Sequence, residues 1–474
     1  MTFSTADMLA EIEHIVSFGI RRPGYEEGLK TEQYLLERFN EIGLNDTRLE
    51  PVPVNYWRPS TTLMAIGESA VEISCCAVPY TGWTEDAGAS TRGVFVGEGS
   101  ATEFDMVDVA GKLVVADMQF GDFNATHLKA GSHFIHDPGD TIPDGTLHCA
   151  NWLIPNFSAY YEAWKRGAAG FIGLLGAMPI DGCELYVPYD GFLKKTPAAW
   201  VGREHAAVVR SAAANGEPLH YTNTGEGRVV DSHNVVGILP GRTDEYILIT
   251  CHHDAPYASA VEDASGLSAL LALAKGFAQS SEPLERGLIF LASSGHFHGG
   301  IGCREFVARH RGDLLEKIVT AIGVEHIAEE VQGGGSQYTK TGQAETRALF
   351  VDKTPELLRV LEEEVQHVNL SRTLGVDAYL FGPEPPCDSA PFFTAGIPTV
   401  CHISGPLYLF DPHDTVDMVR QEDLPKVTEL FYRVIRRIDT IPAADLAKGT
   451  TRHRDDSPAA PPPWFLPPET FLGN

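Results

Sequence analysis

The stretch LITCHHDAPYASAVEDASGLSALLALA, residues 248–274, joins an apolar strand pattern to a leucine-striped helix pattern. The strand pattern ends in His252, His253 and Asp254, and Glu262 and Asp263 stand just before the helix. Imidazole and carboxylate groups that converge there suit zinc, manganese or iron(II). Taken alone, Glu262 and Asp263 are better explained as capping residues, and His252 as a strand-end histidine. The combination predicts a metal site.

Strand and helix patterns alternate on both sides of this stretch. Strand patterns occupy 233–251, 287–292 and 318–324, and helix patterns occupy 265–280, 303–311, 355–368 and 422–438. Regular alternation of this kind predicts an α/β fold with a mostly parallel, mixed sheet flanked by helices.

The length of the chain and the change in its strand and turn pattern predict more than one domain. A chain of 474 residues is long enough for two or three domains. From about residue 60 to 225 short strand patterns alternate with turns, which indicates a smaller β-rich insert. We therefore predict a discontinuous catalytic domain (1–60 and 225–445), an insert (61–224) and a proline-rich tail (446–474), which packs through Trp464 and Phe465 or is disordered.

Composition restricts the partners and the compartment. A net charge of −28 disfavours nucleic acid and anionic membrane surfaces. No apolar run reaches membrane-spanning length, and the N-terminus lacks the pattern of a signal peptide, so a cytoplasmic location is expected. The eight cysteines show no CxxC spacing, and they are expected to be unpaired, buried residues. Monomeric and homo-oligomeric forms both remain open.

A second stretch, IFLASSGHFHGGIGCREF at 289–306, places His296 and His298 on a loop after a strand pattern. Open α/β sheets hold their chemistry in loops at the carboxyl ends of strands. Histidine titrates near neutral pH and is suited to proton transfer. The loop is therefore predicted to contribute to the same site.

These motifs resemble those of the two-zinc aminopeptidases and glutamate carboxypeptidases, whose relatives include transferrin receptors and glutaminyl cyclases. HHDAPYASAVEDASG is similar to their His-x-Asp and acidic-x-x-Ser-Gly motifs. Further similar segments are RRPGYEEGLKTEQYLLERFNEIG (21–43), PLERGLIFLAS (283–293), CDSAPFFTAGIPTV (387–400) and DPHDTVDMV (411–419). The resemblance covers nearly the whole chain, and it implies a zinc-aminopeptidase-like fold in which the insert is a nested protease-associated domain.

The resemblance also implies which residues hold the metal. His252 takes the position of the first metal's histidine, Glu262 the bridging position and Glu325 the position of the first metal's other carboxylate. Phe297 and Phe410 take the positions of the second metal's own ligands. Phenylalanine cannot bind a cation, so one divalent transition metal ion, zinc before manganese or iron(II), is expected.

His296 takes the general-base position of the family, Asp254 the position of the aspartate behind the first histidine, and Asp388 orients the loop above the site. His298 is a further candidate for acid–base chemistry. An alternative register of the loop makes His252, His296 or His298, and His413 the ligands. Other site candidates are His253, Asp263 and His326.

The predicted activity is metal-dependent hydrolysis of an amide or related C–N bond in a small molecule or short peptide. Ordinary aminopeptidase activity is not expected, because the resemblance places the anchor of a free α-amine at the missing metal. A lyase reaction and an inactive binding scaffold are the alternatives. Trp83, Trp152 and Tyr189 are candidate wall residues contributed by the insert.

Overall fold

A computed structural model describes residues 2–450 of the chain. The predicted behaviour of the tail at Trp464 and Phe465 lies outside these residues. No helix among the described residues is both long and apolar enough to span a membrane.

One large sheet runs through the molecule. Its strands are β1 (Asn45–Ile66), β2 (Val71–Ile73), β3 (Cys76–Ala77), β4 (Ala89–Phe95), β5 (Leu113–Asp117), β7 (Ser132–His136), β9 (Gly170–Leu175), β10 (Ala198–Gly202), β11 (Pro218–Leu239), β12 (Tyr246–His252), β13 (Gly287–Ser293), β14 (Ile318–Val324), β17 (Arg347–Val351), β18 (Thr373–Asp377) and β19 (Thr399–Ser404). Two small antiparallel pairs are β6 (Gly121–Asn124) with β8 (Thr146–Ala150), and β15 (Glu329–Gly334) with β16 (Gln337–Ala344).

The strand order is β3-β10-β9-β5-β4-β11-β13-β12-β14-β19-β17-β18-β7, with β1 and β2 beside β11. The central strands β13, β12, β14 and β19 are parallel, and antiparallel neighbours flank them. The predicted mostly parallel, mixed α/β sheet is confirmed.

Helices cover both faces of this central sheet. They are α1 (Thr5–Ser17), α2 (Glu26–Ile42), α3 (Ala101–Asp105), α4 (Ala125–Ala130), α5 (Ser158–Lys165), α6 (Arg203–Ala214), α7 (Gly266–Ala278), α8 (Ile301–His310), α9 (Pro355–Val368), α10 (Ala390–Thr394), α11 (Leu424–Ile438) and α12 (Ala443–Leu446). Helices α1, α7, α9 and α11 share one hydrophobic core, and α8 and α10 pack into another.

Strand β12 shows why the sheet is buried on both faces. Ile247 and Ile249 belong to the core beneath α7 and α11, whereas Leu248 belongs to the core beneath α8 and α10. Successive side chains of a strand point to opposite faces, so a strand between two helical layers is apolar throughout. Thr250 and then His252, the last residue of the strand, follow on the Leu248 face, and both are fully buried.

The residues between β1 and β11 form their own parallel strands, β4, β5, β9 and β10, but they are not separated from the central sheet. Strands β1 and β11 pair along almost their whole length and cross the predicted boundaries at 60/61 and 224/225. Strand β7 also pairs with β18 at the far edge of the central sheet. The division at those two boundaries stays a prediction.

One expectation about the cysteines is wrong. Cys76 in β3 and Cys183 in the segment after β9 form a disulfide with a Cα–Cα distance of 5.6 Å. The pair is 107 residues apart, so no local spacing indicated it. Of the unpaired cysteines, Cys251, Cys303, Cys387 and Cys401 are buried as expected.

Candidate active site

The candidate site lies at the carboxyl edge of the central strands. His252 is the last residue of β12, Glu325 follows the last residue of β14, and His296 stands on the loop after β13. Parallel strands place their carboxyl ends at one edge, which is why residues far apart in sequence meet here. The turn Val261–Ser265 before α7 adds Glu262 to them.

Three imidazoles surround the buried carboxylate of Glu262. The Nε2 atom of His252 lies 3.2 Å from Glu262 Oε1, and His296 Nε2 lies 3.8 Å from the same oxygen. His326 Nε2 lies 2.6 Å from Glu262 Oε2. His326 follows Glu325 directly, and the backbone N–H of His326 donates to Asp263 Oδ1 at 3.1 Å, which fixes its place beside the carboxylate.

The Nδ1 atoms of the three imidazoles are already engaged. His252 Nδ1 lies 2.9 Å from the Asp254 carbonyl oxygen, and His326 Nδ1 lies 2.8 Å from that of Ser404. His296 Nδ1 lies 2.9 Å from Asp388 Oδ1. An Nδ1–H donor on one side leaves the Nε2 lone pair free on the other, the arrangement found in metal-binding histidines.

The inner atoms of the cluster lack hydrogen-bond partners. Buried atoms without such a partner include His252 Nε2, His326 Nε2, both carboxylate oxygens of Glu262, and Glu325 Oε2. The 2.6 Å contact of His326 with Glu262 is therefore a close approach without hydrogen-bond geometry. Unpartnered buried polar atoms are costly, and a divalent ion bound by these nitrogen and oxygen atoms would satisfy them.

Among residues 2–450, three sets of ligand atoms are close enough to hold an ion. Glu325, Cys387 and Cys401 form one of them, and the other two share His252. Of these two, one comprises His252, Asp263, Glu325 and His326, and the other comprises His252, Glu262 and His296. The residues of the described chain therefore fit a metal ion. Of the predicted ligands, Glu325 shares a set with His252 and with His326, and Glu262 shares the other set with His252.

Carboxylates around the cluster fix its loops. The Asp254 carboxylate accepts the backbone N–H groups of His296 and Phe297, both at 3.1 Å. Asp388 accepts the Ser293 hydroxyl at 2.8 Å in addition to His296, and its own N–H donates to Glu325 Oε1 at 3.0 Å. Asp254 and Asp388 thus hold the loop that carries His296 in place.

Protonation in this cluster is strongly shifted. Burial, and then the charge of Asp388, raise the pKa of Glu325 to about 7. Burial lowers the pKa of His326, but the opposing contact with Glu262 prevails and raises it to about 10. Metal ligands must be deprotonated, so a cation that binds Glu325 and His326 displaces these protons. Metal binding is therefore expected to release protons.

Two residues that the sequence analysis did not select support the turn that carries Glu262. The Asp414 carboxylate accepts the backbone N–H groups of Ala260, Val261 and Glu262 at 3.2, 2.7 and 2.9 Å. Arg21, fully buried, donates to the carbonyl oxygen of Ser259 at 2.7 Å. Both lie in segments that carried the resemblance, RRPGYEEG and DPHDTVDMV, but an acid or arginine that binds only backbone leaves no spacing signal.

Asp414→Ala is expected to weaken metal binding about 10- to 100-fold, because groups that orient a ligand typically have that effect. The substitution leaves three buried N–H groups next to Glu262 without an acceptor. Competition with a chromogenic chelator measures the affinity. Asp417→Ala, a change of a mostly exposed carboxylate in the same segment, is the control and should have no effect. An unchanged affinity in Asp414→Ala would contradict the supporting role.

An aromatic wall, defined as Tyr186, Tyr189, Phe297 and Phe410, borders the cluster. The ring centres of Phe297 and Phe410 are 5.4 Å apart, and Tyr189 lies 5.0 Å from Phe410. Tyr186 lies 5.5 Å from Phe297. Tyr189 also lies parallel to His296 at 6.3 Å. Of the candidate wall residues, Tyr189 reaches the site.

The other two candidate wall residues make different contacts. Trp83 stacks on Trp57 at 5.4 Å. Trp152 contacts Phe123 and His148.

Three predicted site histidines are not brought into the cluster. His253 Nε2 lies 2.8 Å from the His233 carbonyl oxygen. His298 Nε2 lies 3.0 Å from the backbone of Asn55, and burial lowers the pKa of this imidazole to about 4. His413 is partly exposed and pairs with Asp411 at 3.0 Å. The alternative ligand set with His413 thus lacks support in the geometry.

Comparison with known proteins agrees with this architecture. Residues 234–435 match the model of Peptidase family M28. The zinc aminopeptidase BSAP from Bacillus subtilis has a similar structure, with a TM-score of 0.68, 14% identity and coverage of 96% of this chain and 99% of that one. No curated protein sequence matches the chain.

Two further structures are similar over nearly their whole length. An aminopeptidase from Aneurinibacillus sp. strain AM-1 has a TM-score of 0.62 and 17% identity, with 96% of each chain covered. A Peptidase M28 precursor from Shewanella amazonensis has a TM-score of 0.68 and 17% identity, with 95% of each covered. The predicted zinc-aminopeptidase-like fold is confirmed.

Proposed function

We propose that this chain is a metal-dependent hydrolase that cleaves an amide or related C–N bond in a small molecule or short peptide. The observation that carries the proposal is the convergence of unpartnered buried atoms from His252, Glu262, Glu325 and His326 at the carboxyl edge of the sheet. The match of residues 234–435 to Peptidase family M28 supports hydrolysis.

His252, together with Glu325 and His326 from one ligand set and Glu262 from the other, would hold one divalent ion, zinc in the first instance. Such an ion supplies a Lewis acid that polarises the carbonyl group of the substrate. Edge-to-face packing of Phe297, Phe410 and Tyr189 beside the cluster fills the neighbouring space with aromatic rings. The phenylalanine rings offer no ligand to a second ion, which supports a mononuclear site.

His296 is the proposed acid–base group. Its side chain is 14% exposed, whereas those of His252, Glu262 and His326 are at most 2% exposed, so His296 faces outward from the cluster. Asp388 holds Nδ1–H, which leaves Nε2 to accept a proton from water and pass it to the departing nitrogen. The charge on Asp388 stabilises the imidazolium formed in between.

The residues between β1 and β11 are proposed to act as a lid, because Tyr189 from this region lies against His296. A lid of this kind restricts the site to small substrates. Efficient cleavage of long peptides or folded proteins would argue against it.

We expect purified, untagged protein to bind about one zinc ion per chain after dialysis. Elemental analysis by mass spectrometry gives the stoichiometry, and release of amine from N-acyl amino acids or dipeptides tests the activity of the same sample. Removal of the ion with a chelator should abolish amine release, and zinc should restore it. Two tightly bound ions would contradict the mononuclear site, and unchanged activity after removal would contradict metal dependence.

A further inference from the structure

Arg22 is held beside the candidate site without a negatively charged partner. Its guanidinium carbon lies 4.4 Å from the ring centre of Tyr186, 5.3 Å from that of Tyr257 and 5.8 Å from that of Tyr25. Its Nε donates to the Pro256 carbonyl oxygen at 2.7 Å. Arg22 makes no ion pair with any residue between 2 and 450. Aromatic faces can hold a cation, but they do not neutralise it.

Two of these contacts connect Arg22 to the proposed chemistry. The ring of Tyr186 contacts both the Arg22 guanidinium and, at 5.5 Å, the ring of Phe297, so Arg22 adjoins the aromatic wall at Tyr186. Pro256 belongs to the loop 253–261, which links two of the proposed metal ligands. The position of Arg22 is thereby fixed relative to the metal cluster.

The neighbouring Arg21 has a structural role, and its contacts differ from those of Arg22. Arg21 is 0% exposed, and its guanidinium donates to the carbonyl oxygens of His253, Ser259 and Glu262. Arg22 is only half-buried, and a single backbone carbonyl holds its Nε. The planar fork of an arginine can bind a carboxylate with two parallel hydrogen bonds.

The negative charge around the site means that an anionic substrate needs a positively charged side chain to bind. The cluster contains the carboxylates of Asp254, Glu262, Asp263, Glu325 and Asp388, all buried. The whole chain carries a net charge of −28. An anionic substrate would be repelled from this region unless a positive group met it.

We propose that Arg22 binds a free carboxylate of the substrate, and that the substrates are N-acyl amino acids. This inference rests on the proposed hydrolase function. The acyl group lies against the aromatic wall, the scissile amide lies at the metal cluster, and the carboxylate of the amino acid meets the guanidinium of Arg22. Arg22 is a specificity-determining residue in this arrangement.

The test compares N-benzoylglycine with N-benzoylglycinamide, which differ only in the carboxylate. Calorimetry on the zinc-loaded protein should show tighter binding of N-benzoylglycine. Arg22→Gln should weaken its binding about 10- to 100-fold, the effect of a lost charged hydrogen bond, and leave the amide unaffected. Arg22→Lys should retain part of the preference, because it keeps the charge without the fork.

Arg58→Gln is the matched control, since Arg58 also lies over Tyr25, at 5.3 Å, but is exposed to solvent. The Arg58→Gln variant should bind both probes as tightly as the wild-type protein does. Equal weakening of both probes in Arg22→Gln would overturn the proposal, as would a wild-type protein without preference for the carboxylate. Benzoate release is followed in the same samples. A carboxylate preference without release would reject the hydrolase function and retain the role of Arg22.

Discussion

His252→Ala is expected to lose the metal ion. His252 belongs to both histidine-containing sets of ligand atoms, and its Nε2 is buried without a hydrogen-bond partner. Its removal should lower zinc affinity by more than the 10- to 100-fold typical of residues that only orient a ligand. Elemental analysis after dialysis would then find an almost metal-free protein without hydrolase activity.

The neighbouring histidine provides the control for this substitution. His253 is equally buried, but its Nε2 is bound to the carbonyl oxygen of His233. His253→Ala should retain the metal ion, even where thermal unfolding shows some loss of stability. Full zinc content in His252→Ala would show that the bound ion does not use this residue as a ligand. That result would contradict the proposed centre.

His296→Ala is expected to retain the ion and reduce turnover by about 10²- to 10⁴-fold, the usual effect of losing a group that transfers protons. The Nδ1 of His296 is held by Asp388, and its outward position leaves Nε2 available to substrate and water. Steady-state kinetics with an N-acyl amino acid, together with metal analysis of the same sample, checks both parts of this prediction.

His298→Ala is the control on the same loop. Its Nε2 is engaged by the backbone of Asn55, so we expect it to change stability more than turnover. Loss of metal in His296→Ala would instead identify His296 as a ligand, consistent with the set formed by His252, Glu262 and His296. The acid–base role would then have to be abandoned.

The sequence predicted the elements that periodicity can mark. The helix predicted at 355–368 is observed at Pro355–Val368, and the strand predicted at 318–324 is observed at Ile318–Val324. The strands at Arg347–Val351 and Thr373–Asp377 were not predicted. Each has five residues, too few for an alternating pattern to stand out.

The metal cluster was predicted in part for a similar reason. His252, Glu262 and Glu325 stand in motifs with recognisable spacing, and the structure places Glu262 in one ligand set with His252 and Glu325 in another. His326 adjoins Glu325 in sequence, but its φ of +51° and its contact with Ser404 turn the imidazole toward Glu262. His298 shares the loop of His296, yet it is turned to Asn55. Backbone direction within a loop cannot be read from spacing.

The continuous pairing of β1 with β11 determines how substrate can enter. Because these strands join the central sheet to the residues between them in one hydrogen-bonded ladder, opening by rotation of two rigid halves would break backbone hydrogen bonds. Tyr186 and Tyr189 lie on the segment between β9 and β10, which has no helix or strand. Cys183 tethers that segment to β3, the Tyr186 N–H donates to the Phe410 carbonyl oxygen at 2.9 Å, and Trp200 Nε1 donates to that of Val187 at 3.0 Å. We therefore expect substrate to enter through local displacement of this segment, which must release these contacts, and not through rotation of two halves.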